Sequence, residues 1–421
     1  MNILILKKKM IDVEAKLRPH HIILSAYGNI GAGHVTQGYH VEETIRILYK
    51  ESPLLVRMQP YIEHWRLDLS GKNAHVSTRL VTSIYKKMQE VPLIESLVSF
   101  FVRKVHIKPL QRYIDTRITK TAQFFYQKYL KELDNISALR PIVFHTTHSI
   151  PAELAILLAQ KLEKKHKVYV IEYLPDPSHA SGNYAYVTTA NSYFKDHIVV
   201  VHDKQSVKEL AKIRKNREIY PLGTLSNPFL SGIFTLSRKK EQDEVKKEIY
   251  LCSGNYRPKF NTIVSQRIKT IQDYIRSKKV EVIVDAMYQK ANLDHFTKLK
   301  QELGLDFIIL SIPKKTKDVL YEAVKQREQL KNDISTQSNV FIGVTGGEQA
   351  LESNMRDHVI GVLLAHGHEA DNTERAVEDG QVIDLRNIGP EKWDELINDA
   401  YKKGKPEQRL KFAAFAEVLL F

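Results

Sequence analysis

The chain has 421 residues, 43% of them hydrophobic and 27% charged, with one cysteine and a net charge of +14. These values exclude a disordered or collagen-like chain, a disulfide framework and any cysteine-built metal site; the length predicts two or three domains. The charge is uneven, with nine Lys/Arg against three acids over 101–150 and four against twelve over 351–400. A basic region invites an anionic partner, whether a lipid surface, a nucleotide or a nucleic acid. No run approaches the roughly 20 apolar residues of a spanning helix, and the short apolar start MNILILKKKM does not read as a secretory signal. A cytoplasmic protein is therefore expected. Cys252 stands in an apolar run and reads as an inert core thiol.

Apolar runs alternate with helical patterns along the chain. HIILSA (21–26) predicts a buried strand, followed by a Gly-rich turn and an amphipathic helix from about 34 to 50. LLVRM (54–58) predicts a second strand, and a helix-rich stretch covers about 75–132. Strands are expected at 141–145, 167–173 and 197–201, with helices at 151–165 and 203–214. The rhythm breaks at YPLGTLSNPFLSG (220–232) and the charge run RKKEQDEVKKE (238–248), and then restarts. Further strands are expected at 248–253, 280–286, 305–311, 339–344 and 358–364, with a helix at about 260–277. Apolar strands separated by helices imply parallel sheets covered on both faces. The expected organisation is α/β. A doubly wound Rossmann-like domain over 1–220 leads through a linker at 221–247 to a second such domain over 248–404. The two face a cleft, and a C-terminal amphipathic helix (405–421) packs back on the first domain.

The N-terminal turn SAYGNIGAGHVTQG (25–38) carries Gly28, Gly31 and Gly33 between a buried strand and a helix starting at His34. Glycines let a backbone turn sharply and approach a ligand, and a helix start offers free N–H groups. A dinucleotide fingerprint would place an acid about 20 residues on, but Glu51 begins a loop there. Two more segments hold polar residues after a strand: FHTTHSIPAELAILL (144–158) with His148, and IEYLPDPSHASGNYAYV (171–187) with Glu172, Asp176 and His179. In the C-terminal half, VTGGEQALESNMRDHVIGVLLAHGHEADNTERAVEDGQVIDL (344–385) runs as strand, Gly-rich turn, helix, strand and acidic segment.

Together these motifs resemble the GT-B glycosyltransferases, in the group of monogalactosyldiacylglycerol synthase, processive diacylglycerol glucosyltransferases and the lipid II N-acetylglucosaminyltransferase. The likeness runs from about 21 to 385, with 60–140 unmatched in detail. It implies that the GAGH loop, with Gly31, Gly33 and His34, faces the cleft and contacts acceptor and donor sugar. His148 matches the histidine of a strand–loop–helix segment. Glu172, Asp176 and His179 compete for the acidic and histidine roles on the acceptor side. The base that deprotonates the acceptor would be His34 or Asp176, and a helix-capping role for His34 is the alternative. On the donor side the resemblance implies that Gly346, Gly347 and Gln349 lie near the phosphates, Glu352 bonds the ribose hydroxyls, and Glu369 and Asn372 read the sugar. Ser253, Gly254 and Arg257 stand where the family's Gly-rich loop meets the diphosphate. The family's usual Gly-x-Pro before the next strand is replaced here by Asn354-Met355-Arg356-Asp357-His358.

The function so implied is transfer of a sugar from a nucleotide diphosphate sugar, UDP-linked, to a hydroxyl acceptor carried by a lipid. Inversion, no metal and no cofactor are expected. A nucleotide-sugar 2-epimerase of the same architecture, and a non-catalytic binder of nucleotide-sugar or membrane, are the other readings. The segment 91–112 sets Leu97, Val98, Phe100, Phe101 and Val102 beside Arg103, Lys104, Lys108 and Arg112. That pattern suits either an interfacial helix on the inner, anionic face of a membrane or a core helix with a basic edge. No nucleic-acid partner is expected, since no binding motif accompanies the charge.

Overall fold

The computed structural model of the chain describes residues 19–27, 33–51, 61–69, 76, 79, 83, 108–133, 140–174, 180, 184–201, 203–221, 247–252, 258–287, 290–311, 340–344, 359–364, 368–378, 380 and 382–403. They fall into two compact units. The first opens with β1 (His20–Tyr27), α1 (Gly33–Glu51) and β2 (Tyr61–Asp68). It continues with α2 (Lys108–Leu133), β3 (Ile142–Thr146), α3 (Ser149–Leu162), β4 (Val168–Tyr173) and the short α4 (Tyr184–Thr188). β5 (His197–Val201), α5 (Lys204–Ile213) and β6 (Glu218–Pro221) complete it. All pairings are parallel, in the order β2-β1-β3-β4-β5-β6. The chain leaves β1 toward β2 and leaves β3 in the opposite direction toward β4. The carboxyl ends of β1 and β3 thus flank the switch point, where ligands bind in such sheets.

Side chains alternate across the sheet, so each strand contributes to two different layers. On one face Ile22, Leu24, Ala26, Trp65, Leu67, Ile142, Phe144, Val168 and Val170 form an apolar core with residues of α2 and α3. α3 is apolar around most of its circumference, as a helix enclosed by other elements must be. The opposite face of β1 and β3 carries His21, Ser25 and His145, all fully buried, and it meets α1. α1 presents Val35, Tyr39, Val41, Ile45 and Tyr49 inward at near-helical spacing.

The second unit contains β7 (Lys247–Cys252), α6 (Pro258–Thr270), α7 (Gln272–Arg276), β8 (Val280–Met287), α8 (Lys290–Leu303) and β9 (Ile308–Ser311). It continues with β10 (Val340–Val344), β11 (Val359–Leu364), α9 (His368–Glu378), β12 (Ile383–Asp384), a 3-10 turn at Pro390–Lys392 and α10 (Trp393–Lys403). Its parallel sheet has the order β12-β11-β10-β7-β8-β9, with the switch point between β7 and β10. Trp393 is fully buried and donates through Nε1 to the Ile388 carbonyl at 3.1 Å. Arg267, 1% exposed, reaches from α6 to Asp394 and to the Pro390 carbonyl at 3.2 Å. These contacts fasten α10 to the unit.

Two doubly wound α/β units are what the sequence predicts, and several elements differ. The strand expected at 54–58 lies outside the described residues, and the second strand is Tyr61–Asp68. This is an edge strand buried only at Trp65 and Leu67, so it lacks the continuous apolar run that marks a central strand. The helix expected over 260–277 is two helices broken at Ile271, and only 308–311 of the expected strand 305–311 pairs. β6, α8, α9, β12 and α10 have no expected counterpart. α8 is largely polar or charged and buries only Asn292, Phe296 and Leu299, one narrow stripe. The C-terminal helix at 405–421 lies outside the described residues.

Gly38 sits where α1 crosses the polar face of β1. A Cβ there would run into Ser25 Oγ and lie 2.9 Å from the His64 ring. Gly38→Ala should therefore lower stability by about 1–3 kcal/mol, the usual cost of overpacking. Combining it with Ser25→Ala should recover part of the loss, as urea unfolding of the two single variants and the double variant would read.

Candidate functional site

The turn after β3 and the first turn of α1 meet at the first unit's switch point. His34, half-buried at the start of α1, places its ring centroid 4.8 Å from that of His148, nearly perpendicular at 84°. His148 is the N-cap of α3, with extended backbone, and its Nδ1 accepts from the Ile150 N–H at 3.2 Å. Since Nδ1 accepts, the neutral ring carries its proton on Nε2. The Thr147 hydroxyl donates to the His34 carbonyl at 3.1 Å. Two imidazoles from helices on opposite faces of the sheet are thus brought together. With its one lone pair taken by the helix cap, neutral His148 can only donate from Nε2, so of the two rings His34 is the one that could act as a base for a ligand hydroxyl.

Glu172 and Glu153 have other duties. Glu172 is fully buried in β4; its Oε1 accepts from the Ala190 N–H at 2.8 Å, and its Oε2 lies 2.9 Å from His197 Nε2. Arg217, which has only donors, approaches His197 Nδ1 at 2.6 Å, so the His197 proton stands on Nε2, facing Glu172. Burial holds His197 below the ordinary histidine range in spite of Glu172 beside it. Arg217 also grips the carbonyls of Ala190, Asn191 and Ser192 at 2.8–2.9 Å. Glu153, fully buried on α3, accepts from the N–H groups of Asn191 (2.7 Å) and Ser192 (2.9 Å) and from Thr119 Oγ1 (2.9 Å). Glu172 is thereby committed to the interior at β5 rather than offered to a ligand, which departs from the acceptor-side role expected of it.

A second polar chain crosses the sheet beneath the switch point. Tyr49 OH lies 3.3 Å from His21 Nε2, His21 Nδ1 lies 2.9 Å from His145 Nε2, and His145 Nδ1 lies 2.9 Å from Tyr173 OH. The shared N···N bond requires one ring to donate and the other to accept, so both imidazoles fit as neutral tautomers. Burial pushes His21 down to about 3, with His20 adding to the effect, and burial holds His145 well below its usual range, with His21 adding to it. Neither ring was expected from the sequence; they stand inside apolar runs, where single polar residues give no periodic signal.

On the second unit, Glu369 and Asn372 follow β11 on the first turns of helix α9, 6% and 1% exposed. β7 ends at Cys252 and β10 at Val344, neighbours at the second switch point, and each leads directly into a Gly-bearing segment. Gly33 opens α1, while Gly31, Asp176, His179, Ser253, Gly254, Arg257, Gly346, Gly347, Gln349 and Glu352 lie outside the described residues. So does 91–107; Lys108 and Arg112 are exposed at the start of α2. Among the described residues no three His, Cys, Asp or Glu side chains are grouped to hold a metal ion, and no helix is long and apolar enough to cross a membrane.

No protein-family model matches the chain, and no curated protein matches it. Among solved structures it is similar to a UDP-N-acetylglucosamine 2-epimerase at 13% identity and a TM-score of 0.49, over 96% of this chain and 94% of that one. It is similar to the UDP-GlcNAc 2-epimerase of Neisseria meningitidis bound to UDP-GlcNAc at 10% and 0.47, over 95% and 98%. It is also similar to MurG of Acinetobacter baumannii at 13% and 0.43, over 95% and 94%.

The buried histidines set a pH dependence. His20, His21, His64, His145 and His197 are all held below the ordinary value of 6.5, in each case chiefly by burial. Below pH 6.5 the unfolded chain takes up protons that the folded protein refuses. The stability these rings contribute is complete above 6.5 and is lost progressively as pH falls below it, for His21 down to about 3. His21 alone should account for about 2 kcal/mol of loss between pH 7.5 and 5. Urea unfolding at the two pH values measures it, and equal stability at both would mean that the rings are protonated in the folded state.

Proposed function

We propose that the chain is a glycosyltransferase acting on a nucleotide diphosphate sugar, with a UDP sugar as donor and a lipid-borne hydroxyl as acceptor. The observation that carries this reading is the meeting of His34 and His148 at the switch point of the first unit. It supports the reading because the His34 imidazole, at the start of α1, is of a type that can serve as base for a hydroxyl acceptor. The second unit brings the strands leading into the Gly-bearing segments 253–257 and 345–358 side by side, as a diphosphate site needs. In this reading the His34 imidazole takes the acceptor proton as the acceptor oxygen bonds the anomeric carbon, and the bond to the diphosphate breaks on the opposite face. Asp176 is the other candidate for the base. Glu352 holds the ribose, Glu369 and Asn372 read the sugar, and Ser253, Gly254, Arg257, Gly346, Gly347 and Gln349 surround the phosphates. The basic segment 91–112 would keep the protein at an anionic surface on the cytoplasmic side.

Incubation with UDP sugars, with and without lipid acceptors, separates transfer from its rival. Product that appears only with acceptor supports transfer, whereas conversion of donor alone to its 2-epimer replaces this reading with an epimerase. His34→Ala should lower kcat by about 10²–10⁴, the range for a positioned acid–base group, with donor affinity unchanged. Near-normal turnover would remove His34 from the chemistry. Glu352→Gln should weaken UDP binding by calorimetry about tenfold or more, since bonds to charged groups contribute roughly 1.5–3 kcal/mol. An unchanged dissociation constant would take Glu352 out of the donor site.

A further inference from the structure

Four successive side chains from the end of β3 to the start of α3 tie the switch-point turn to four different places. Thr146 Oγ1 donates to the Ile171 carbonyl of β4 at 3.4 Å, and Thr147 Oγ1 to the His34 carbonyl of α1 at 3.1 Å. His148 caps its own helix through the Ile150 N–H, and Ser149 Oγ donates to the Val187 carbonyl of α4. Of these, the Thr147 bond alone crosses from the β3–α3 turn to α1. Thr147 is 1% exposed, so its hydroxyl is withdrawn from bulk water.

The sequence between β1 and α1 carries Gly28 and Gly31, and Gly33 opens α1 next to His34. Packing on the sheet sets how α1 as a whole lies, and the Thr147 bond adds a directed constraint at its first turn. A change of one residue in helical phase swings a side chain by about 100°, enough to carry the His34 ring away from His148. His148 is anchored independently by its capping bond, so the pair's geometry depends on what holds His34.

We propose that Thr147 is the positioning residue of this site: its buried hydroxyl, holding the His34 carbonyl, sets the His34 ring against His148. The role in turnover rests on the reading that these rings face the acceptor, whereas the effect on ring geometry does not. Thr147→Val keeps the branched shape and loses the hydroxyl, Thr147→Ser keeps the hydroxyl, and Thr147→Ala is a second hydroxyl-free variant. The imidazole Cε1–H resonances of His34 and His148, assigned with His34→Gln and His148→Gln, are followed by NMR across a pH titration. In Thr147→Val and Thr147→Ala both resonances and their pH midpoints should move, while the signals of histidines in the second unit stay in place. Thr147→Ser should match wild type. With UDP sugar and acceptor, kcat should fall in the hydroxyl-free variants by about tenfold to a hundredfold, with the donor KM within about twofold of wild type.

An unmoved His34 resonance in Thr147→Val, or a Thr147→Ser that behaves like Thr147→Val, overturns the proposal. So does failure of both hydroxyl-free variants to fold, which would make the hydroxyl a folding determinant. Moved resonances with unchanged turnover would leave the positioning intact and remove the two rings from the reaction, separating the failure of this inference from that of the proposed function.

Discussion

In a parallel sheet wound in both directions, there is one place where neighbouring strands send their chains to opposite faces, and ligands bind in the crevice so formed. Both sheets here have such a place, between β1 and β3 and between β7 and β10. Residues at the start of α1 and α3 approach each other across the first crevice though their helices pack on different sides. His34 and His148 are far apart in sequence and become neighbours only because of that strand order. The same constraint makes β7 and β10 neighbours in the second unit and juxtaposes the routes into two Gly-bearing segments.

The first sheet is unusual in burying titratable rings on the face toward α1. A buried polar group costs several kcal/mol unless it is hydrogen-bonded. Tyr49, His21, His145 and Tyr173 meet that demand in one chain of bonds, and Ser25 Oγ meets His64 Nε2 at 2.8 Å in another. Gly38 fits this layer because α1 must pass close to Ser25 and His64. The layer specifies how α1 lies on the sheet more sharply than apolar contacts would, since each bond has a direction as well as a distance.

The segment between α4 and β5 is held from two sides by opposite charges. Glu153 takes its N–H groups and Arg217 its carbonyls, while Glu172 and His197 connect the same residues to the sheet. Arg214, at the end of α5, adds bonds to Thr189 Oγ1 just after α4 and to Asp115 Oδ1 of α2, both at 2.9 Å. Bonds to charged groups are about twice as strong as neutral ones, and in a water-poor interior they rigidify what they join. Ser149 then links α4 to the residue beside His148, so the switch-point turn rests on a braced neighbour.

What the sequence determined by itself was the alternation of buried strands and amphipathic helices, because central parallel strands read as unbroken apolar runs such as HIILSA and HIVVV. The edge strand Tyr61–Asp68 was not legible, since only Trp65 and Leu67 are buried in it. The sequence also marked His34 and His148 as polar residues following strands, which is a local property. Their contact, the hydroxyl of Thr147 behind it, and the removal of Glu172 to a bond with the Ala190 N–H were decided only by tertiary structure. The physical reason is that hydrogen bonds between strands and helices remote in sequence leave no period in the chain. Whether a polar side chain faces a ligand or the interior depends on which donors the fold brings to it.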